Sequence, residues 1–417
     1  MPPNNKRPRP QKAHADRNAD DQYHSLELIV AGCGAGATAV YDGAASSTFL
    51  VGARRRDGHD GTTTPCLIID LGFGAQRAIS ALCHGSFPSH APIYISHNHS
   101  DHSGELPVVA AVERAKRMKR SSGSGSGGAP LVVLAEAEVA QTLEAHRLHE
   151  LRSTGLELKE FVDLRPIERA TAVYPIPPTT TRAITAAASS AGAAGEEGEE
   201  DERHGGEGGP LLLPWELGIS LVLSRHSERC FGFLLYARDR AQPRTMAAAT
   251  TTKMTATTAA NADSNNPTTN TNNPWRPILG FSGDSAADKC VYARLAGAPV
   301  VLVDARPTAA SGGLSQHASV EQVRRAASDS GMLSSCRRVI IYGYGGEAER
   351  RAAEAELRAG APPTRASVEV AAPGMVVELL SRGGGGGGDG GGRTLEDYVS
   401  SRRRGSSTPA HNSRPVL

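Results

Sequence analysis

"YISHNHSDHSGELP", residues 94–107, sets His97, His99, Asp101 and His102 within six positions. The run "PIYIS" at 92–96 is short and apolar, a buried-strand pattern, and residues 105–118 repeat with helical spacing. The cluster therefore falls on the turn between a strand and a helix. Two residues apart at a strand end, His97 and His99 project to the same side. Asp101 and His102 follow as the chain turns, adding a carboxylate and a third imidazole within reach of one point. Nitrogen and carboxylate donors together suit Zn²⁺, with Mn or Fe as substitutes. Surface decoration explains a lone histidine far better than it explains H-x-H-x-D-H straight after a buried strand.

Outward from this turn, strand and helix patterns alternate. "SLELIVAG" (25–32), "SSTFLVGA" and "CLIIDLGFG" read as an opening β-meander. Later strand patterns are "APLVVLAE", "GISLVLSRHS", "CFGFLLYA", "PILGFSG", "PVVLVDA" and "RRVIIYG", with helices expected over 136–152, 286–296, 319–329 and 347–359. The order β-rich, mixed, β-rich, mixed predicts an α/β fold of two sheets packed face to face with helices outside, a four-layered αββα sandwich. "GCGAGA" at 32–37 matches G-x-G-x-x-A, but no helical pattern opens there and another strand follows within ten residues. A dinucleotide site is not expected.

A chain of 417 residues could hold two or three domains, yet its composition favours one with inserts. The stretches 119–129, 185–210 and 238–274 are rich in Gly, Ser, Thr, Asn or Glu and read as low-complexity inserts. Residues 1–24 read as a disordered basic segment, 381–417 as a Gly/Arg/Ser-rich tail, and 25–380 as the folded domain. A formal charge of +1 gives no support to a globally basic nucleic-acid binder. The six cysteines form no CxxC pair, which points to a reducing compartment. No run approaches the roughly 20 apolar residues of a membrane span, so no membrane partner is expected. A cytoplasmic location follows, with "KRPRPQK" readable by nuclear import machinery.

These motifs resemble those of the metallo-β-lactamase-fold hydrolases, most of all the transfer-RNA 3′-processing endonuclease (ribonuclease Z-like) branch. "IIDLGFGAQRAI" is similar to that branch's Asp-x-Gly-x-Gly-x-Gln-Arg segment, "SRHSERCFGFLL" to its third motif and "LGFSGDS" to its fourth. "HASVEQV" is similar to its His-Ser-Thr element, and "EVAAPGMVVEL" to its closing strand. The resemblance implies that His97, His99 and His226 hold one metal ion, that Asp101 and His102 hold a second, and that Asp284 bridges them. A water activated between the two would attack a phosphodiester in line. Asp101 would orient or deprotonate that water, and His317 would be the general acid, unless it is a structural helix-start histidine. Asp70 would fix the tautomer of a ligand imidazole, unless it is a plain strand-end aspartate.

One departure stands out. The resembled family completes its second metal site with a histidine at the end of the strand represented here by "RRVIIYGYGG", where this chain has Tyr342, Gly343 and Tyr344. A second site filled out by water, a one-metal enzyme and a protein without turnover are all consistent with that gap. The leading expectation is a zinc-dependent phosphodiesterase acting on a small phosphodiester. RNA is a weaker expectation, because aromatic residues for base stacking are only 4% of the chain. Hydrolysis of an ester, thioester or lactone is the alternative chemistry, and a degenerate metal-binding protein the alternative class. The resemblance also implies a possible homodimer.

Overall fold

The computed structural model describes residues 23–36, 41, 43–56, 63–121, 129–178, 213–240, 274–310, 316–360 and 365–382. Most of the three expected inserts, the basic segment and the tail lies outside these residues; where the expected bounds overlap them, 119–121 continue a helix and 23–24, 238–239 and 381 belong to strands.

The first half of the chain supplies β1 (Tyr23–Gly32), β2 (Thr48–Arg55), β3 (Thr63–Ile69), β4 (Ile93–Tyr94), β5 (Leu131–Glu136) and β6 (Val162–Ile167). The second half supplies β7 (Tyr174–Pro175), β8 (Trp215–Leu223), β9 (Phe231–Asp239), β10 (Arg276–Phe281), β11 (Val300–Arg306), β12 (Ala318–Ser319), β13 (Arg338–Tyr342), β14 (Ser367–Val370) and β15 (Val376–Ser381). One sheet runs β15-β1-β2-β3-β4-β5-β6, and the other runs β14-β13-β11-β10-β9-β8-β7 with β12 added beside β11. Each sheet changes character midway. From β15 to β3 the pairs are antiparallel, and from β3 to β6 they are parallel. In the second sheet β7 to β10 pair antiparallel, whereas β10, β11, β13 and β14 pair parallel.

The sheets meet through interlocked aromatic residues. Phe49 on β2 packs edge-on against Phe281 on β10 at 5.9 Å and against Tyr342 on β13 at 5.2 Å. Tyr94 on β4 does the same with Phe233 on β9 at 4.8 Å, and its hydroxyl donates to the Phe231 carbonyl at 2.8 Å. Such edge contacts add about 0.5–1.5 kcal/mol each beyond the burial of the rings. The antiparallel strand β2 is buried from Thr48 to Ala53 without alternation, because helices cover the outer face of its sheet.

Those helices are α1 (Ala75–Leu82), α2 (Ser100–Ser103), α3 (Leu106–Ser121), α4 (Ala137–Thr142), α5 (His149–Arg152), α6 (Lys289–Leu295), α7 (Val320–Ala327) and α8 (Glu347–Ala359). Helices α4 and α1 pack on the first sheet, and α6, α7 and α8 pack on the second. This is the expected αββα layering. The helix expected over 136–152 is present with a π-helical turn at Leu143–Arg147 between α4 and α5. Its start is fixed by Glu136, whose carboxylate accepts from the Glu138 and Val139 amides. Among the described residues no helix is long and apolar enough to cross a membrane.

In open sheets of this kind a crevice forms where strand direction switches, beyond the carboxyl ends of the parallel strands. Here both sheets switch side by side. Asp70 follows β3, His97 and His99 follow β4, Asp284 follows β10, Asp304 lies near the end of β11, and Gly343 follows β13.

Candidate functional site

The H-x-H-x-D-H turn is built by short local constraints. His99 is the N-cap of α2 and its carbonyl accepts from the Ser103 hydroxyl, which winds Asp101 and His102 back toward the histidine pair. Gly72 passes so close to the Asp101 backbone that a Cβ there would fall under 3.0 Å from it. The "GCGAGA" loop finds its use at the same place, since the Gly36 amide donates to Asp101 Oδ2 at 2.7 Å. That loop therefore positions a carboxylate of the cluster.

Asp70 organises the imidazoles from below. It is fully buried with a left-handed φ of 59°, a strained conformation for a non-glycine residue. Its carboxylate accepts from the Ser96 amide at 2.7 Å, the Ser96 hydroxyl at 2.9 Å and His102 Nδ1 at 2.8 Å. The Ser96 hydroxyl, spending its proton on Asp70, accepts from His97 Nδ1 at 3.0 Å. One carboxylate thus fixes two tautomers, leaving His97 Nε2 and His102 Nε2 facing the crevice.

What they face is dense in donors. His97 Nε2 lies 3.0 Å from His99 Nδ1, which lies 3.3 Å from His226 Nε2. Asp284 reaches both sides, with Oδ2 4.0 Å from His97 Nε2 and Oδ1 3.2 Å from His102 Nε2. Asp101 Oδ2 is 3.6 Å from His102 Nε2. Donor atoms of His97, His99, His226 and Asp284 all lie within 4.8 Å of one another, as do those of Asp101, His102 and Asp284. All six ligand residues expected from the sequence are therefore brought together, with Asp284 common to both groups.

Four converging imidazoles, two of them buried and of fixed tautomer, are poorly satisfied by one another and well satisfied by a cation. The first group offers three nitrogens and one oxygen, the number and type that a tetrahedral Zn²⁺ site takes. The second offers three donors. At the place of the missing histidine, Gly343 has φ +87° and a Cβ there would fall under 3.0 Å from Asp304 Oδ1. The Asp304 carboxylate occupies the space where that side chain would start, and donor atoms of Asp284, Asp304 and His317 lie within 4.8 Å of one another.

The charges of the metal-free site follow from this packing. Burial pulls His97 well below the usual imidazole value, and the charge of His102 beside it pulls the same way. Burial acts likewise on His102, but the carboxylates of Asp284 and Asp70 on either side hold it well above that value. Asp284 is buried, which favours its neutral form, yet His102 and its other imidazole neighbours hold it well below the usual carboxylate range.

A second pair completes the crevice. His317 Nδ1 donates to Asp304 Oδ2 at 2.6 Å, and the Ser285 amide donates to the same oxygen at 3.0 Å. Burial and the charge of Asp284 push Asp304 up to about 6. Burial would lower His317, but its hydrogen bond to Asp304 and that group's charge leave it raised. The His317 ring lies 5.5 Å from that of His226, so its Nε2 edge belongs to the same crevice. His317 therefore stands beside Asp304, a residue that the sequence reading did not nominate, on the wall of this crevice. The signal of Asp304 was visible: "VVLVD" ends a buried apolar strand in aspartate, as "CLIID" does at Asp70.

Comparison with known proteins gives remote structural likenesses, each with a TM-score below 0.5. No family model matches the sequence, and no curated protein matches it significantly. Among solved structures, the metallo-β-lactamase fold protein YhfI from Bacillus subtilis is similar over 85% of this chain and 99% of its own, at 12% identity and a TM-score of 0.47. Unliganded yeast PDE1 is similar over 86% and 100%, at 11% identity and a TM-score of 0.42. Igni18, a metallo hydrolase from the archaeon Ignicoccus hospitalis, is similar over 86% and 100%, at 13% identity and a TM-score of 0.37. At such identities the chemistry of the site has to come from this chain's own residues.

Proposed function

We propose that this chain is a metal-dependent hydrolase of phosphodiesters, with zinc as the ion that best suits its first donor group. The observation that carries the reading is the pairing of that four-donor group with a histidine–aspartate couple on the facing wall of one crevice. His97, His99, His226 and Asp284 would hold one ion, and Asp101, His102 and Asp284 a second, more weakly. When bound, a divalent cation supplies Lewis acidity and a nucleophile usable at neutral pH.

The residues supply the rest. Asp101, its Oδ2 anchored by the Gly36 amide, would accept a proton from an attacking water. His317 keeps Nδ1 on Asp304, so its proton at Nε2 is the one available to a departing alkoxide. Asp70 holds His97 and His102 in ligating tautomers throughout. Burial of His97, His102, Asp284 and Asp304 keeps bulk water from competing for these contacts.

The transfer-RNA 3′-processing reading is the specific form of this proposal supported by the motif resemblance. The test is steady-state hydrolysis by zinc-loaded protein of bis-p-nitrophenyl phosphate, a precursor transfer RNA with a 3′ trailer, and p-nitrophenyl acetate. Turnover of the diester, lost in His97→Ala, supports the general proposal, and trailer cleavage supports the specific one. Turnover of the acetate alone would replace it with carboxyl-ester chemistry.

A further inference from the structure

Strand β11 ends Asp304-Ala305-Arg306, and side-chain alternation sends Asp304 and Arg306 to one face while Ala305 packs on the other. Parallel pairing with β12 sets Ala305 opposite Ala318 and Arg306 opposite Ser319, which brings His317 alongside both polar residues. His317 spans them. Its Nδ1 bonds Asp304, and its Nε2 lies 3.4 Å from Arg306 Nη2.

Arg306 differs from Arg147, Arg225 and Arg229. Arg147 is tied to the Asn98 carbonyl at 2.6 Å, Arg229 pairs with Glu138 at 3.0 Å, and Arg225 faces Asp288 at 3.9 Å. Arg306 is partly buried, makes no ion pair with a described carboxylate, and its buried Nε has no hydrogen-bond partner. A half-buried guanidinium with no counter-charge is costly to keep unless an anion visits it. Its planar fork fits phosphate oxygens in a way that a lysine does not.

We propose that Arg306 is the substrate-binding residue that takes a non-bridging oxygen of the phosphodiester, so that the site selects an anionic diester over a neutral carboxyl ester. This rests on the phosphodiesterase reading and names its specificity determinant. In the free protein Arg306 leans on the His317 Nε2 edge. With substrate bound it donates to the phosphate instead, and His317 Nε2, bare while it accepts from Arg306, is freed to take up a proton from solvent and pass it to the departing oxygen.

The test uses zinc-loaded full-length chain, wild type, Arg306→Ala and Arg306→Lys, with thermal unfolding to confirm that each variant folds. Calorimetric titration with inorganic phosphate should show an affinity about 10–100-fold weaker in Arg306→Ala, the loss of one charge-assisted contact, and an intermediate value in Arg306→Lys. KM for bis-p-nitrophenyl phosphate should rise by a similar factor with kcat within about threefold, and KM for p-nitrophenyl acetate should not move. A ribonucleotide dimer run in parallel separates a nucleic-acid source of the phosphate, where only its KM rises, from a general phosphodiester requirement, where both rise. Unchanged phosphate affinity in both variants, or a fall in kcat with KM fixed, overturns the assignment. Wild-type protein that binds phosphate through Arg306 but cleaves no diester would sink the phosphodiesterase reading and leave the anion site standing.

Discussion

Replacing Gly343 by histidine restores the ligand found at this place in the resembled family, and the geometry predicts that the restoration fails. Two costs act together. A non-glycine residue at φ +87° carries about 1–3 kcal/mol of backbone strain. Its Cβ also enters the space of Asp304 Oδ1, and overpacking a buried site typically costs ~1–3 kcal/mol. Asp304 cannot swing aside freely, because its other oxygen holds the Ser285 amide and His317. Gly343→Ala should therefore destabilise by roughly 2–6 kcal/mol, lowering Tm by about 4–24 °C at about 2–4 °C per kcal/mol. Thermal unfolding in chelator reads this directly. A cycle with Asp304→Ala should show coupling above about 0.5 kcal/mol, since removing the carboxylate relieves one of the two costs. A Gly343→His protein that melts within about 2 °C of wild type and gains a tightly held second zinc would refute the reasoning.

Metal uptake at the second donor group should expel a proton, because His102 is held above the ordinary imidazole value and its Nε2 must be bare to ligate. Affinity there should rise with pH through neutrality until His102 deprotonates unaided, whereas His97 and His226, both lowered by burial, enter the first group already neutral. Titration calorimetry in buffers of different ionisation enthalpy counts the proton, and release of none would contradict this. Asp70→Asn should weaken metal binding by ~10–100-fold, since it disturbs two ligand tautomers at once. His317→Gln should lower kcat on a ribonucleotide dimer by ~10²–10⁴ while sparing bis-p-nitrophenyl phosphate, whose leaving group needs no acid. Asp304→Asn removes the charge that raises His317, so the alkaline limb of the pH–rate profile should move to lower pH; a limb that stays put would show that His317 is not the acid.

Much of this was legible in the sequence because it is local. H-x-H-x-D-H is a single turn, and strand alternation alone aims its first two imidazoles. His226, Asp284 and His317 are 120 to 220 residues away from that turn, and spacing could not join them to it; the motif resemblance did. Asp304 is not legible in this way because its neighbours "VVLV" and "ARP" read as plain strand, although Asp70 ends a buried strand in the same manner. The reason is physical: what makes Asp304 a site residue is His317 lying opposite it, and that depends on the parallel pairing of β11 with β12. Arg306 was hidden for the same reason. Position 343 shows the reverse case. The missing histidine is plain in the sequence, but only the left-handed backbone and the Asp304 carboxylate explain why a glycine stands there. Short elements such as β7, β12 and α1 were not anticipated, since a few residues carry too little periodicity to be read.

The most direct test is the number of zinc ions retained per chain, by elemental mass spectrometry after exhaustive dialysis and then after titration at pH 8, for wild type and His99→Ala. One tightly retained equivalent, a second that loads only on titration, and loss of the first in His99→Ala is the predicted pattern. Wild-type protein that retains no metal and takes up none would contradict the claim that these six side chains form a metal site.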